Sequence, residues 1–198
     1  MTNIEKLEVL LQANKGFLRT SDATAAGVSR TVLFNFVRRR GLERAAHGVY
    51  VSRDAWDDGF FVLQARYPRA VFSHETSLYL LKLANREPSP FSITLRTGTN
   101  SARLSREGVK VYKVRDALFE TGVIEVNSPS GHTVRAYNAE RTICDLFRSR
   151  RNIETQELHT AARDYIRLKK KNIPLLMRYA ALFSVDKLVR RHVEVLLS

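Results

Sequence analysis

Few of the residues in this 198-residue sequence have the types and spacing that chemistry requires. The five histidines, His47, His74, His132, His159 and His192, form no compact cluster, and no HExxH pair, glycine-rich phosphate loop or GxSxG turn occurs. His74 and Glu75 next to Ser73, with Asp145 far away in sequence, supply the parts of an acid–base site, because a general base needs an orienting carboxylate. The plainer reading is that His74 and Glu75 bond locally and fix a helix start. Asp145 has a similar double reading, since Arg141 stands four positions earlier and the two can pair on one helix face. Cys144, the only cysteine, lies among apolar neighbours and reads as a small hydrophobe. One thiol excludes an internal disulfide and a multi-cysteine metal site, which fits a reducing compartment. The expectation is no catalytic residue, no metal and no cofactor.

Positive charge is the abundant resource. Lys plus Arg number 33 against 20 Asp plus Glu, a formal net charge of +13 that attracts polyanions. The excess sits at the two ends: 9 basic against 4 acidic residues in 1–53, and 12 against 5 in 148–198, with a nearly neutral middle. The first residues lack the basic segment, apolar stretch and small-residue cleavage site of a signal peptide, and no run reaches the length of a membrane span. A cytoplasmic protein with no membrane partner is expected. Aromatics do not interleave with the basic runs, so duplex DNA or folded RNA is favoured over a stacked single strand.

The N-terminal elements that would position this charge follow a recognisable order. Ile4, Leu7, Val9, Leu10 and Leu11 recur at helical spacing over about 4–14, with Gly16 closing the segment. Thr20 or Ser21 can cap a short second helix over DATAAG, and Gly27 permits the next turn. Ser29 is placed as the N-cap of a third helix, RTVLFNFVRRR, which Gly41 stops. Leu42–Arg44 and Val49–Ser52 read as short strands joined at Ala46–Gly48. Three helices and a hairpin make a winged helix-turn-helix order. In the third helix Val32, Leu33, Phe36 and Val37 face a small core, while Arg30, Thr31, Asn35, Arg38 and Arg39 face outward, polar residues first and arginines behind. Such a face suits base edges and phosphates in a major groove. The alternative is a solvated helix end favoured by the helix dipole.

Beyond residue 53 the pattern is mixed. A helix is expected over 54–67, anchored by Trp56, Phe60, Val62 and Leu63 and stopped by Pro68. FSHETSLYLLKL reads as another, capped by Ser73. PSPFSITLRTG and VKVYKV read as strands and VIEVNSPSGHTVRAY as a hairpin, giving a small mixed sheet. From 139 onward four short helices should pack as a bundle, with Pro174 in a first-turn position. In TQELHTAARDYIRLKKK, Leu158, Ala161, Ala162, Tyr165 and Leu168 form the apolar stripe, leaving Arg163, Arg167, Lys170 and Lys171 largely away from it. The fold class is therefore α+β: a winged helix-turn-helix domain over 1–53 joined to a mixed α/β C-terminal domain over 54–198 that ends in a basic helical bundle.

Three stretches in order, GFLRTSDATAAGVSRTVLFNFVRRRGLERAAHGVY, FSHETSLYLLKLANREP and SGHTVRAYNAERTICDLFRSR followed by IPLLMRYAALF, make the sequence resemble the AbiEi-type antitoxins of bacterial abortive-infection systems. The basic helix and GxY wing are widely shared; their combination with SHETSLYL and ERTICDL is the specific part. The resemblance implies a winged domain that binds inverted repeats in its own promoter and represses an antitoxin–toxin operon. It also implies a C-terminal domain that opposes a nucleotidyltransferase-like AbiEii toxin without a stable complex, as in type IV systems, in a setting of phage defence. Carried onto this chain, operator double-stranded DNA would be read by Ser29, Arg30, Thr31, Asn35, Arg38 and Arg39, with Arg44 and His47 as wing contacts. Arg148, Arg150, Arg151, Arg163, Arg167, Lys170 and Lys171 would contact phosphate or act in antitoxicity. The chain would be a monomer or weak dimer in solution that binds DNA cooperatively. Two other classes stay open: a basic RNA- or toxin-binding interaction protein, and an enzyme with a hidden site built from His74, Glu75 and Asp145.

Overall fold

A computed structural model describes residues 1–55 and 58–197, with no side-chain description for Leu197. The chain divides into two compact units, Met1–Arg69 with Asn127–Val134, and Ala70–Val126 with Arg135–Ser198.

The first unit begins with α1 (Asn3–Ala13), opened by a reciprocal capping box between Thr2 and Glu5. Strand β1 (Phe17–Arg19), α2 (Thr20–Ala25), α3 (Arg30–Arg40), β2 (Glu43–Ala46) and β3 (Val49–Val51) follow. The strands form an antiparallel sheet in the order β1-β3-β2. This is the winged helix-turn-helix arrangement expected from the sequence, with one strand more: β1, only three residues long, pairs Phe17 with Val51 and Arg19 with Val49. The expected Thr20 or Ser21 cap is absent, since α2 starts at Thr20 after Arg19. The core joins Leu7 and Leu11 of α1, Leu18, Ala23, Val28, Leu33, Phe36 and Tyr50. Helix α4 (Gly59–Arg66) starts later than the expected 54–67 because Asp58 caps it, accepting from the Phe61 amide at 3.0 Å. Of the expected anchors Phe60 and Leu63 are buried, Val62 is half-buried, and Trp56 lies outside the described residues.

A polar knot holds the 127–134 segment in this unit. His132, 6% exposed, has Nδ1 2.6 Å from Asp58 Oδ2 and Nε2 3.1 Å from the Asn14 carbonyl oxygen. Ser128 Oγ adds a hydrogen bond to the same carboxylate oxygen at 2.5 Å. The imidazole packs between Phe17 (edge-on, centroids 5.0 Å) and Phe61 (tilted, 4.4 Å). A buried carboxylate here is tolerable because both its oxygens accept hydrogen bonds.

The second unit carries a mixed five-stranded sheet in the order β6-β5-β4-β8-β7. Its strands are β4 (Val71–Phe72), β5 (Ser92–Arg96), β6 (Lys110–Val114), β7 (Val123–Asn127) and β8 (Thr133–Tyr137). β4 runs antiparallel to β5 and parallel to β8, and β5 runs parallel to β6 over five residue pairs. Short helices α5 (His74–Leu80), α6 (Ala102–Arg106) and α7 (Asp116–Phe119) connect the strands; the last two are too short to show a period in the sequence. The C-terminal bundle comprises α8 (Ala139–Arg148), α9 (Thr155–Arg167), α10 (Ile173–Leu182) and α11 (Asp186–Leu197), with Pro174 in the first turn of α10. Helix α8 is buried on every side, its Ile143, Cys144, Leu146 and Phe147 packing against Leu158, Tyr165, Leu176 and Val189. No helix among the described residues is long and apolar enough to cross a membrane.

Candidate nucleic-acid interface

Helix α3 owes its position to its two ends. Ser29 Oγ accepts from the Val32 amide at 3.4 Å, and Gly41, at φ +62°, takes the left-handed conformation that closes the last turn. Between them Leu33 and Phe36 are buried, and Val32 and Val37 half-buried, as the helical phase required. Ser29, Arg30, Thr31, Asn35, Arg38 and Arg39 are all exposed. Among the described residues, the side chains of Arg30, Thr31, Asn35, Arg38 and Arg39 make no hydrogen bond or ion pair, so their donors are available to a ligand. Arg40 differs: its guanidinium is tied to Glu8 of α1 at 2.6 Å and braces the helix.

Strands β2 and β3 form the wing beside this face. Arg44 donates to His47 Nδ1 at 2.8 Å, leaving Nε2 as the hydrogen-bearing nitrogen of that ring, and both residues are exposed. A groove of about 390 Å³ runs between α3 and the wing, lined by Arg30, Phe34, Arg44, His47 and Tyr50 together with Thr20 and Ser21. Sequence reasoning passes over Phe34. It is 51% exposed, whereas an apolar residue within a short amphipathic helix reads by default as core. Its position one helical turn from Arg30 and one from Arg38 is the signal that identifies it.

The basic residues of the second unit are less uniform. Arg150, Arg151, Arg163, Arg167 and Lys170 are exposed, while Arg148 and Lys171 are half-buried. Arg148 lies over the Phe183 ring and donates to the Lys113 carbonyl at 3.5 Å, with Asp145 Oδ1 3.9 Å away. Lys171 turns back to the Leu168 carbonyl at 3.4 Å. Arg163 and Arg167 share one face of α9, with Lys169 and Lys170 just beyond its end.

His74, Glu75 and Asp145 are near one another in the fold but are not joined in an acid–base chain. His74 is fully buried and has its ring nitrogens 3.0 Å from Ser73 Oγ and 3.0 Å from Ser149 Oγ. Its ring stacks on Tyr112 with centroids 3.4 Å apart. Burial, reinforced by Arg148, Lys110 and Arg141, holds its pKa well below the ordinary value, so it is neutral at pH 7. Glu75 instead takes hydrogen bonds from Ser92 Oγ at 2.8 Å and Lys110 Nζ at 3.1 Å. Asp145 pairs with Arg141 at 2.9 Å, the ion pair the i,i+4 spacing predicted, and both side chains are fully buried. Arg141 also donates to the Leu118 and Thr121 carbonyls and lies between the Tyr137 and Phe183 rings. Burial pushes the Asp145 carboxyl upward against the pull of Arg141 and Arg148. Burial also pushes the Cys144 thiol up to about 12, which keeps it protonated and a poor nucleophile. Among the described residues no three His, Cys, Asp or Glu side chains are grouped to hold a metal ion.

The first unit is thus of the winged helix-turn-helix class, with a polar and cationic face of α3 open to solvent. The second is a mixed α/β unit ending in a helical bundle. Among solved structures the chain is similar in fold to the RV2827C protein of Mycobacterium tuberculosis, with a TM-score of 0.60 and 15% identity, over 100% of this chain and 76% of that one. No family model matches the sequence, and no curated protein matches it.

Proposed function

We propose that this chain is a sequence-specific DNA-binding repressor that reads inverted repeats in its own promoter and acts as the antitoxin to an AbiEii-like nucleotidyltransferase toxin. The observation that carries the DNA-binding part is the solvent face of α3, where Arg30, Thr31, Asn35, Arg38 and Arg39 are exposed and unpartnered next to a basic wing. Polar groups at the N-terminal half meet base edges, and arginines at the C-terminal half meet phosphates. Arg44 and His47 extend the contact along the backbone. The exposed Arg150, Arg151, Arg163, Arg167 and Lys170 add sequence-independent phosphate contacts or oppose the toxin; Arg148 and Lys171 have a structural part. The antitoxin role rests on the resemblance of the three sequence stretches to AbiEi proteins and on the two-unit fold. On this reading the chain has no catalytic activity, works in the cytoplasm, and forms no stable complex with the toxin.

The test is binding of the full chain to its own upstream region and to a scrambled duplex across a salt titration, with co-expression of the neighbouring toxin gene as the second arm. Preference for the upstream duplex, and rescue of growth by the chain, support both parts. Equal affinity for both duplexes, lost together as salt rises, refutes sequence-specific repression.

A further inference from the structure

Among the described residues, Phe34 is the one large apolar side chain on the solvent face of α3, surrounded by polar and cationic residues. At 100° per residue it lies between Arg30 and Arg38 along the helix, with Thr31 about 60° and Asn35 about 100° to one side of it, so it stands on the border of the exposed arc that faces the wing. The core of the unit does not need it, because Leu33 and Phe36 already fill the inward face. Its ring touches the edge of Tyr50 on β3, with centroids 6.4 Å apart and planes at 88°. That contact fixes the ring's orientation and leaves half of its surface in water.

An aromatic ring set among free arginines fits a partner that is polyanionic and has an apolar spot within reach. Duplex DNA has one such spot in its major groove, the C5 methyl of thymine, which apolar side chains contact. We infer that Phe34 is a specificity-determining residue that reads a thymine methyl, while Arg30 and Arg38, one turn to either side, hold the flanking phosphates or guanines. This rests on the reading of the first unit as DNA-binding and adds to it a named base at a named position. The ring has only two rotatable bonds and is already held against Tyr50, so little freedom is lost on docking.

The experiment uses the full chain and the duplex that it enriches from a random library, with each thymine replaced in turn by deoxyuridine, which removes only the methyl group. For the wild type, at least one replacement should weaken binding about three- to five-fold, the value of one buried methyl group. Phe34→Ala should weaken binding to the thymine duplex at least as much and abolish the sensitivity to deoxyuridine at that position, while Phe34→Leu keeps part of it. Unchanged circular dichroism and melting would show that both variants fold. An enriched site without thymine, no effect of any replacement on the wild type, or the same effect on Phe34→Ala overturns the inference. Failure of the wild type to enrich any sequence instead overturns the DNA-reading function beneath it.

Discussion

Replacing Arg141 by Met tests how the second unit is held together. The guanidinium is fully buried, donates to Asp145 Oδ2 at 2.9 Å and to two backbone carbonyls at 2.9 Å each, and lies 3.8 Å from the Phe183 ring centroid. Methionine preserves much of the packing and removes every donor. Asp145 would then be a buried carboxylate with no close partner, because its Oδ1 already lacks a hydrogen bond and Arg148 stays 3.9 Å away. Breaking one side of such a pair costs about 3–5 kcal/mol. At about 2 kcal/mol per molar urea, the midpoint should fall by about 2 M, read by far-UV circular dichroism. The sign with pH is fixed too. Loss of Arg141 raises the folded-state pKa of Asp145 further, so the folded variant takes up a proton more readily than the unfolded chain, and its deficit should shrink as pH falls through that raised pKa. Arg141→Met with Asp145→Leu should recover most of the loss, since an apolar pair leaves no buried charge. A single variant that loses less than about 1 kcal/mol, or whose deficit grows on acidification, would refute this account of the pair.

Further outcomes follow from the same contacts. The pKa of His74 is lowered by burial, so the unfolded chain binds its proton first: stability should be full above pH 6.5 and fall as pH drops below it, by at most about 1.4 kcal/mol per pH unit for this group. His74→Asn, a residue type that accepts the φ of +52° found there, should flatten that slope in urea melts from pH 5 to 8; an unchanged slope assigns it to other groups. Asp58→Ala strips the acceptor from the Phe61 amide, Ser128 and His132 together and should cost about 3 kcal/mol or more, with proteolysis opening the 127–134 segment first. Arg167→Ala with Lys170→Ala should weaken binding to specific and random duplexes alike and lower the salt slope by about 1–2. An unchanged slope removes those two from the phosphate contacts.

The legible parts of the molecule are those with local causes. The phase of α3 follows from Ser29, Gly41 and the spacing of Leu33 and Phe36, and the structure repeats it. The Arg141–Asp145 pair follows from i,i+4 spacing, but nothing local tells that both are fully buried, because that depends on α8 being surrounded by α5, α9 and α10. The bond between Asp58 and His132 spans 74 positions and no periodicity announces it. β1 escapes a sequence reading because three residues carry no alternation worth counting. Phe34 escapes it for a different reason: its residue type argues for core while its phase argues for solvent, and phase is the better guide.

The most direct test of the central claim is the operator affinity of the Asn35→Ala chain, measured beside the wild type on the native upstream duplex and a scrambled one at fixed salt. Asn35 is exposed on the proposed reading face and, among the described residues, its side chain makes no hydrogen bond or ion pair, so its loss should leave melting unchanged and scrambled-duplex binding nearly so. Affinity for the native duplex should fall about five-fold or more, the worth of a lost base contact of at least about 1 kcal/mol. Equal affinities of the two proteins for the native duplex would contradict the assignment of α3 as the element that reads DNA.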